Sequence, residues 1–198
     1  MGRRSRQARR TQVIALAAIA VAFTIGGLIW LGDGDGGDSR SAPASQPAGF
    51  AALSVAETNR CDLAAAEVRS MPDSMRLQGS CCSAMERSSY RGQLRGLHPY
   101  ARREHRIVPT DPYDVPVALA KRLLAYRTIA LDAGQRAIYH RARTRSDLGG
   151  PCCCHCWRWE AFDGQARFLI VRRDYSADQV ARVWDLEEGC GGSSFSAA

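Results

Sequence analysis

Residues 150–159 read GPCCCHCWRW and hold half of the eight cysteines of the chain. Gly150 and Pro151 interrupt the preceding segment, and Pro151 suits the first turn of a helix expected from about Cys152 to Arg173. One apolar stripe is predicted on that helix, made of Cys152, Cys156, Trp159, Phe162, Ala166, Leu169 and Ile170. Cys153 then lies on the flank of the stripe and Cys154 points nearly the opposite way. We therefore expect Cys156 to act with Cys152 or Cys153 and Cys154 to have a separate role, because three consecutive helical cysteines cannot all bind one tetrahedral ion.

A second cysteine cluster lies about seventy residues earlier, in the stretch QGSCCSAM at residues 78–85. Ser80 is a suitable N-cap for a helix that would run through Met85 toward Leu97. On such a helix Cys81 or Cys82 shares a face with the thioether of Met85. This pattern predicts a second group of sulfur ligands.

The two clusters together predict a buried site for a soft metal ion, since thiolate and thioether sulfur favour Cu(I), or zinc where thiolates dominate. Zinc would sit about 2.3 Å from each sulfur. The predicted ligands are Cys81, Cys82, Met85, Cys152, Cys153 and Cys156. Further candidate ligands are His155, Cys154 and Cys190. The function expected from these residues is sequestration or delivery of copper, zinc or a toxic thiophilic metal.

Two other interpretations of the cysteines stay open. An even number of cysteines in an oxidising compartment is typical of disulfides, which would make the chain a stapled structural or interaction module without metal. Cys61 and Cys190 would then pair with each other or with Cys154. Thiol–disulfide exchange by Cys153 and Cys156, at CxxC spacing, is the third hypothesis. It lacks the βαβ context of such enzymes, no other catalytic motif is present, and a non-enzymatic role is favoured.

The remaining pattern predicts an all-α domain, a compact bundle of about five or six helices. Residues 50–70 favour one or two helices, and Asp114 is expected to cap a helix from about Val115 to Thr128. Capping boxes at Asp132 and Ser176 predict two more helices, ending near Arg145 and Leu186. No run of alternating strand residues is found.

Residues 11–32 read TQVIALAAIAVAFTIGGLIWLG and contain no charged side chain. As a helix, this segment would be roughly 30 Å long, the thickness of a bilayer's hydrocarbon core. Residues 1–10 form a basic tip, and acids begin at Asp33, which predicts a cytoplasmic N-terminus and an extracytoplasmic C-terminal domain. The nearest cleavage site for a signal peptide, Ala42-Pro43-Ala44, lies ten residues after Gly32. An uncleaved single-pass anchor in the lipid bilayer of the cell membrane is therefore expected.

Composition divides the rest of the chain into a flexible linker at residues 33–49 and a cysteine-rich helical domain at residues 50–198. The net charge of the chain is +7, but five arginines belong to the basic tip and the linker contributes −2, so the domain is left with +4. Basic and acidic residues are interspersed there, without a basic stripe. The sequence therefore argues against nucleic-acid binding.

The strings QGSCCSAM, DPYDVP, GPCCCHCWRW and VWDLEEGCGG resemble an uncharacterised prokaryotic family of membrane-tethered, cysteine-rich proteins with CCxxM and PCCCxCWRW motifs. The resemblance covers roughly Met75 to Gly192. It implies a tethered, cysteine-rich domain and carries no activity, cofactor or catalytic residue. A second family, with a PCYCGC motif, differs from this sequence in cysteine spacing and in the WRW that follows.

Overall fold

The computed structural model describes residues 49–191, which contain seven α-helices, one 3-10 turn and two short strands. The helices are α1 (Phe50–Leu53), α2 (Ala65–Ser70), α3 (Arg87–Arg103), α4 (Val117–Ala125), α5 (Ala133–Arg145), α6 (Trp157–Arg173) and α7 (Ala177–Leu186), and the 3-10 turn is Tyr126–Thr128. The strands are β1 (Arg76–Gln78) and β2 (Asp114–Pro116). The prediction of a mainly helical domain is confirmed.

Helix α6 is the central helix of the core, and α4 packs along it. Gly164 allows this close approach, because a Cβ at that position would lie closer than 3.0 Å to the Leu123 carbonyl oxygen. Trp157, Phe162 and Leu169 of α6 are fully buried. The six consecutive residues 161–166 are also all buried, so α6 is covered on most sides instead of along one stripe.

Helices α5 and α7 pack against each other and begin where the sequence predicts. The Asp132 carboxylate accepts a hydrogen bond from the Gln135 backbone N–H at 2.8 Å, and the Gln135 side chain accepts one from the Asp132 N–H. Ser176 and Gln179 form the same reciprocal pair. Both capping boxes satisfy N–H groups that a helix leaves free at its N-terminus, so these two predictions are confirmed.

The sequence analysis missed a two-stranded antiparallel ribbon, in which Leu77 pairs with Val115. The prediction that Asp114 caps a helix from Val115 is wrong. Helix α4 begins two residues later, after Pro116, and the Asp114 carboxylate instead accepts hydrogen bonds from Arg76 and Gln78. The physical reason is Pro116, which disfavours the helical conformation of the residue before it.

Both cysteine clusters lie outside helices, contrary to the prediction. Helix α3 begins at Arg87, because Glu86 accepts hydrogen bonds from the backbone N–H groups of Ser88 and Ser89. Helix α6 begins at Trp157, and Cys156 is its extended N-cap residue. Residues 81–85 and 152–155 are therefore loops, and the faces assigned to their cysteines on helical geometry are wrong.

No helix between residues 49 and 191 combines the length and the hydrophobicity of a membrane span. The predicted anchor at residues 11–32, the basic tip and nearly all of the linker lie outside the described residues. The anchor therefore stays a prediction.

Candidate metal centre

Eight cysteines from four separate segments converge on one spot. Cys61 lies between α1 and α2, Cys81 and Cys82 follow β1, and Cys190 follows α7. The other four come from the loop before α6: Cys152, Cys153, Cys154 and Cys156. The prediction that the two sequence clusters meet in space is confirmed.

The sulfur atoms form a continuous network. Cys82 Sγ lies 2.9 Å from Cys61 Sγ, 3.4 Å from Cys81 Sγ and 3.5 Å from Cys153 Sγ. Cys190 Sγ lies 2.9 Å from Cys153 Sγ and 3.7 Å from the sulfurs of Cys81 and Cys152. Cys154 Sγ completes the network, at 3.5 Å from Cys156, 3.8 Å from Cys152 and 3.8 Å from Cys61. Sulfurs around a tetrahedral zinc are about 3.8 Å apart, given Zn–S bonds of about 2.3 Å.

All eight cysteines are free thiols. Their closest separation, 2.9 Å, is well above the ~2.0 Å of a disulfide bond. The structure therefore does not contain the disulfides of the alternative hypothesis, either between the two clusters or involving Cys61 and Cys190.

Backbone hydrogen bonds align the segment after β1 with the segment after α7. The N–H groups of Cys81, Ser83 and Glu86 donate to the carbonyl oxygens of residues 189, 190 and 191 at 3.0–3.1 Å. The Ser83 hydroxyl adds a bond to the Cys190 carbonyl oxygen at 2.5 Å. These bonds satisfy polar backbone groups that a helix would have paired internally, and they fix Cys81 beside Cys190.

The Cys61 segment is held by the first turn of α6. The Trp157 backbone N–H donates to the Leu63 carbonyl oxygen at 3.0 Å, and the Trp157 indole N–H donates to the Asn59 side-chain oxygen at 3.0 Å. The Asn59 amide in turn donates to the Gly79 carbonyl oxygen at 2.8 Å. Trp157, directly after the cysteine loop, thereby links three of the four cysteine-bearing segments.

The sulfur cluster has a buried side and an open side. Cys152, Cys156 and Cys190 are 1%, 4% and 8% exposed, whereas Cys82 and Cys153 are exposed. The open edge formed by Cys82 and Cys153 gives an ion or a ligand-bearing partner access from solvent.

Arg158 is fully buried next to the cluster. Its Nη2 donates to the Glu187 carbonyl oxygen at 2.6 Å, but Nε and Nη1 have no hydrogen-bond partner in the described part of the chain. Burial alone would lower the pKa of this guanidinium, yet it is raised by the negative potential of Cys152, Cys81, Cys190 and Cys156. A buried, incompletely paired cation is costly unless anions lie nearby, so Arg158 indicates that the cluster carries negative charge.

The thiols themselves shift one another's pKa values. Hydrogen bonds from Cys152 and Cys81 lower the pKa of Cys190 to about 5, and a hydrogen bond from Cys156 lowers the pKa of Cys152 to about 6. The pKa of Cys81 is raised, chiefly by its hydrogen bonds to Cys152 and Cys190. Thiolates are the metal-binding form of cysteine, and the first protons leave this cluster readily.

Seven of the eight sulfurs, all but that of Cys156, fall into four groups, each with ligand atoms within 4.8 Å of one another. The groups are Cys61, Cys81, Cys82 and Cys154; Cys81, Cys152 and Cys190; Cys82, Cys153 and Cys190; and Cys152, Cys153 and Cys154. No histidine or carboxylate of residues 49–191 belongs to any of these groups. The donor set of thiolates alone suits a soft ion.

The structure brings the predicted ligands Cys81, Cys82, Cys152 and Cys153 into these groups, whereas the predicted ligand Cys156 lies 3.5 Å from Cys154 but belongs to none of them. Cys154 and Cys190, which were predicted only as further candidate ligands, each belong to two of the four sulfur groups. The separate role predicted for Cys154 is therefore wrong, as is the argument that Cys152, Cys153 and Cys154 cannot share one ion. Outside a helix, the backbone lets consecutive side chains turn toward a common point.

Two predicted ligands have other surroundings, and one cysteine was missed as a ligand. Met85 packs against a smaller apolar cluster of Leu53, Tyr90 and Tyr113, and His155 stacks against Trp159 with ring centroids 4.2 Å apart. Cys61 lies in a four-sulfur group, although its sequence neighbours contain no second cysteine. The even number of cysteines was the one sequence signal that could have pointed to Cys61 as a member of the site.

No protein-family model, curated protein or solved structure matches this chain. The resemblance to membrane-tethered proteins with CCxxM and PCCCxCWRW motifs therefore stays a prediction.

Proposed function

We propose that this protein is a membrane-anchored domain that binds a soft metal, Cu(I) or zinc, outside the cytoplasm for sequestration or delivery. The observation that carries the proposal is the convergence of eight free thiols, with all but two of the neighbouring sulfur–sulfur separations at 3.4–3.8 Å, close to the distance between sulfurs that share a metal ion. Toxic thiophilic metals would bind the same donors. The proposed location rests on the uncharged segment at residues 11–32 and the arginines before it.

Two features support metal binding over an empty thiol cluster. Thiols in an oxidising compartment convert to disulfides unless something occupies them, and ligation to a metal would keep the cysteines that bind it reduced. The unpaired nitrogens of buried Arg158 also require nearby negative charge, which metal-bound thiolates supply.

The exposed edge of the sulfur cluster favours a site that exchanges its metal ion over one that buries the ion permanently. A closed structural zinc site is typically shielded by its own ligands, whereas Cys82 and Cys153 are exposed here. An incoming thiol ligand could contact a metal at this edge, and a flexible linker would let the domain reach a partner at the membrane surface.

The test is metal analysis of the full chain, purified in detergent under anaerobic, reducing conditions and offered Cu(I) as its acetonitrile complex or Zn²⁺. We expect at least one tightly held ion per chain after gel filtration against a chelator. The control is the double variant Cys152→Ser/Cys190→Ser, which should lose most of the metal while keeping its helical circular dichroism spectrum. Less than about a tenth of an equivalent in the unaltered chain would overturn the proposal.

Thiol–disulfide exchange is the second candidate, and it is favoured by the 2.9 Å separation of Cys153 and Cys190. In that reaction both thiols are oxidised to a disulfide while a substrate disulfide gains two electrons and two protons and becomes two thiols. The pair expected from CxxC spacing, Cys153 and Cys156, stays a prediction beside it. One cysteine whose alkylation rate stays flat from about pH 5 to pH 9 would support thiol–disulfide exchange, because a low-pKa thiol is already ionised at the lower end.

A further inference from the structure

The four sulfur groups share their members in a regular way. Cys81, Cys82, Cys152, Cys153, Cys154 and Cys190 each belong to two groups. Every pair of groups has one cysteine in common, and no cysteine belongs to three. Cys61 belongs to one group only, and Cys156 to none.

This sharing pattern has a direct chemical meaning. If each group holds one ion, a cysteine common to two groups is a thiolate that bridges two ions. Four ions would then occupy the corners of a tetrahedron, with six bridging sulfurs along its six edges. Resting on the proposed function, we infer that the protein binds a tetranuclear Cu(I)–thiolate cluster in which these six cysteines are the bridging ligands.

Counting bonds decides between copper and zinc. Six sulfurs that make two bonds each supply twelve bonds, which is three for each of four ions. Zinc in thiolate sites is almost always four-coordinate and would need sixteen. Cu(I) is satisfied by three thiolates and prefers soft sulfur, so the shared groups fit four Cu(I) ions.

The charge balance involves Arg158. Binding forms twelve Cu–S bonds to six bridging thiolates, and the protons of those cysteines that are still thiols are released to solvent. Four positive and six negative charges leave the cluster with a charge of −2. The buried guanidinium of Arg158, with two nitrogens unpaired among the described residues, offsets part of this charge.

Gly189 places the Arg158 guanidinium against the segment that carries Cys190. A Cβ at residue 189 would lie closer than 3.0 Å to the Cζ and two nitrogens of Arg158. The cation is thus held next to a cysteine that bridges two ions in the proposed cluster.

Cys61 and Cys82 provide a matched pair of variants, because their sulfurs lie 2.9 Å apart but differ in group membership. Cu(I) would be titrated anaerobically into the full chain in detergent and into Cys61→Ser and Cys82→Ser, with ions counted by native mass spectrometry. The unaltered chain and Cys61→Ser are expected to pass from zero to four copper ions with few intermediates. Cys82→Ser, which removes a bridge, is expected to fall below four.

X-ray absorption of the copper-loaded chain supplies an independent measurement. The inference requires copper coordinated by three sulfurs and a copper–copper scattering shell. One or two bound ions without that shell, or equal losses in Cys61→Ser and Cys82→Ser, would overturn the tetranuclear cluster while leaving metal binding intact. Absence of any bound copper or zinc would instead overturn the proposed function.

Discussion

The contact between α4 and α6 and the contact among the four cysteine segments differ in how their backbones are held. In the helix pair, backbone polar groups are satisfied within each helix, and large side chains such as Phe162 and Leu124 fill the space between them. In the cysteine cluster, loops are joined by a few hydrogen bonds, including three from residues 81–86 to residues 189–191. The packed interior consists of thiols in place of large apolar side chains.

This difference implies that the two regions contribute to the free energy of folding in different ways. Burial of apolar surface stabilises the helical core without any ligand. Eight thiols and an incompletely hydrogen-bonded arginine cannot supply comparable stability until they bind a metal, because binding free energy becomes folding free energy at such a site. Substitutions in the core should therefore change the stability of the metal-free protein, and substitutions at the cluster should change metal binding.

The largest effect is expected from Gly164→Ala in α6. The new Cβ would clash with the Leu123 carbonyl oxygen, which is backbone and cannot move aside without separating the helices. We expect a loss of about 3 kcal/mol in the free energy of unfolding, measured by urea denaturation of the metal-free chain.

Gly134→Ala in α5 is the matched control, since Gly134 is exposed and the nearest atom to its Cβ would be 3.4 Å away. It should stabilise the protein by about 0.5–1 kcal/mol, because alanine favours a helix more than glycine does. Folded Gly164→Ala protein should bind as much copper as the unaltered chain. If the folded Gly164→Ala protein bound less copper than the unaltered chain, the helical core and the cysteine cluster would not act independently.

Arg158→Met sharpens the comparison because it should weaken copper binding, which a core substitution should not do. Without metal, the variant loses the hydrogen bond to the Glu187 carbonyl oxygen and the buried counter-charge of the acidic thiols, so the free energy of unfolding should fall by about 1–3 kcal/mol. With Cu(I) bound, the negative cluster loses its buried counter-charge and copper affinity should fall by about tenfold or more.

The measurements are thermal denaturation of the metal-free chain and competition for Cu(I) with a chromophoric chelator. Arg141→Met, at an exposed position of α5, controls for the loss of one positive charge. If Arg158→Met weakened the metal-free chain and left copper affinity unchanged, Arg158 would belong to the helical core instead of the cluster.

The effect expected from Glu187→Gln is absent at low pH and grows as pH rises. Burial raises the pKa of the Glu187 carboxyl from 4.5 to about 8. Its contribution to stability is complete below pH 4.5 and is lost as pH rises toward 8, because only the unfolded chain releases the proton in that interval. The advantage of the amide variant over the unaltered chain should therefore grow by about 1.4 kcal/mol for each pH unit between 4.5 and about 8.

Urea denaturation of the metal-free chain at pH 5, 6.5 and 8 would measure this trend. The advantage of Glu187→Gln should grow steadily across the series, whereas Glu57→Gln, at an exposed position, controls for the removal of a carboxylate. A constant difference at all three pH values would show that Glu187 is not held protonated.

Local chemistry made some elements predictable and left others undetermined. The capping boxes at Asp132 and Ser176 placed the starts of α5 and α7, because both partners of each box lie within four residues of each other. The ribbon of β1 and β2 could not be predicted, since three residues per strand are too few for an alternating pattern. Helix α6 was expected too early because Pro151 fits a first helical turn as well as it fits a loop.

The sequence by itself determined that this domain is mainly helical and that cysteine is concentrated in two stretches of it. The sequence also identified most of the cysteines of the cluster, although it placed them on the faces of helices, and the structure has loops at those residues. Only the tertiary structure decided that residues 81–85 and 152–155 are loops, that Cys61 and Cys154 join the cluster, and that six sulfurs are shared between groups. The reason is that periodicity and capping act over a few residues, whereas the positions of these thiols depend on hydrogen bonds between segments about a hundred residues apart, such as Cys81 and Gly189.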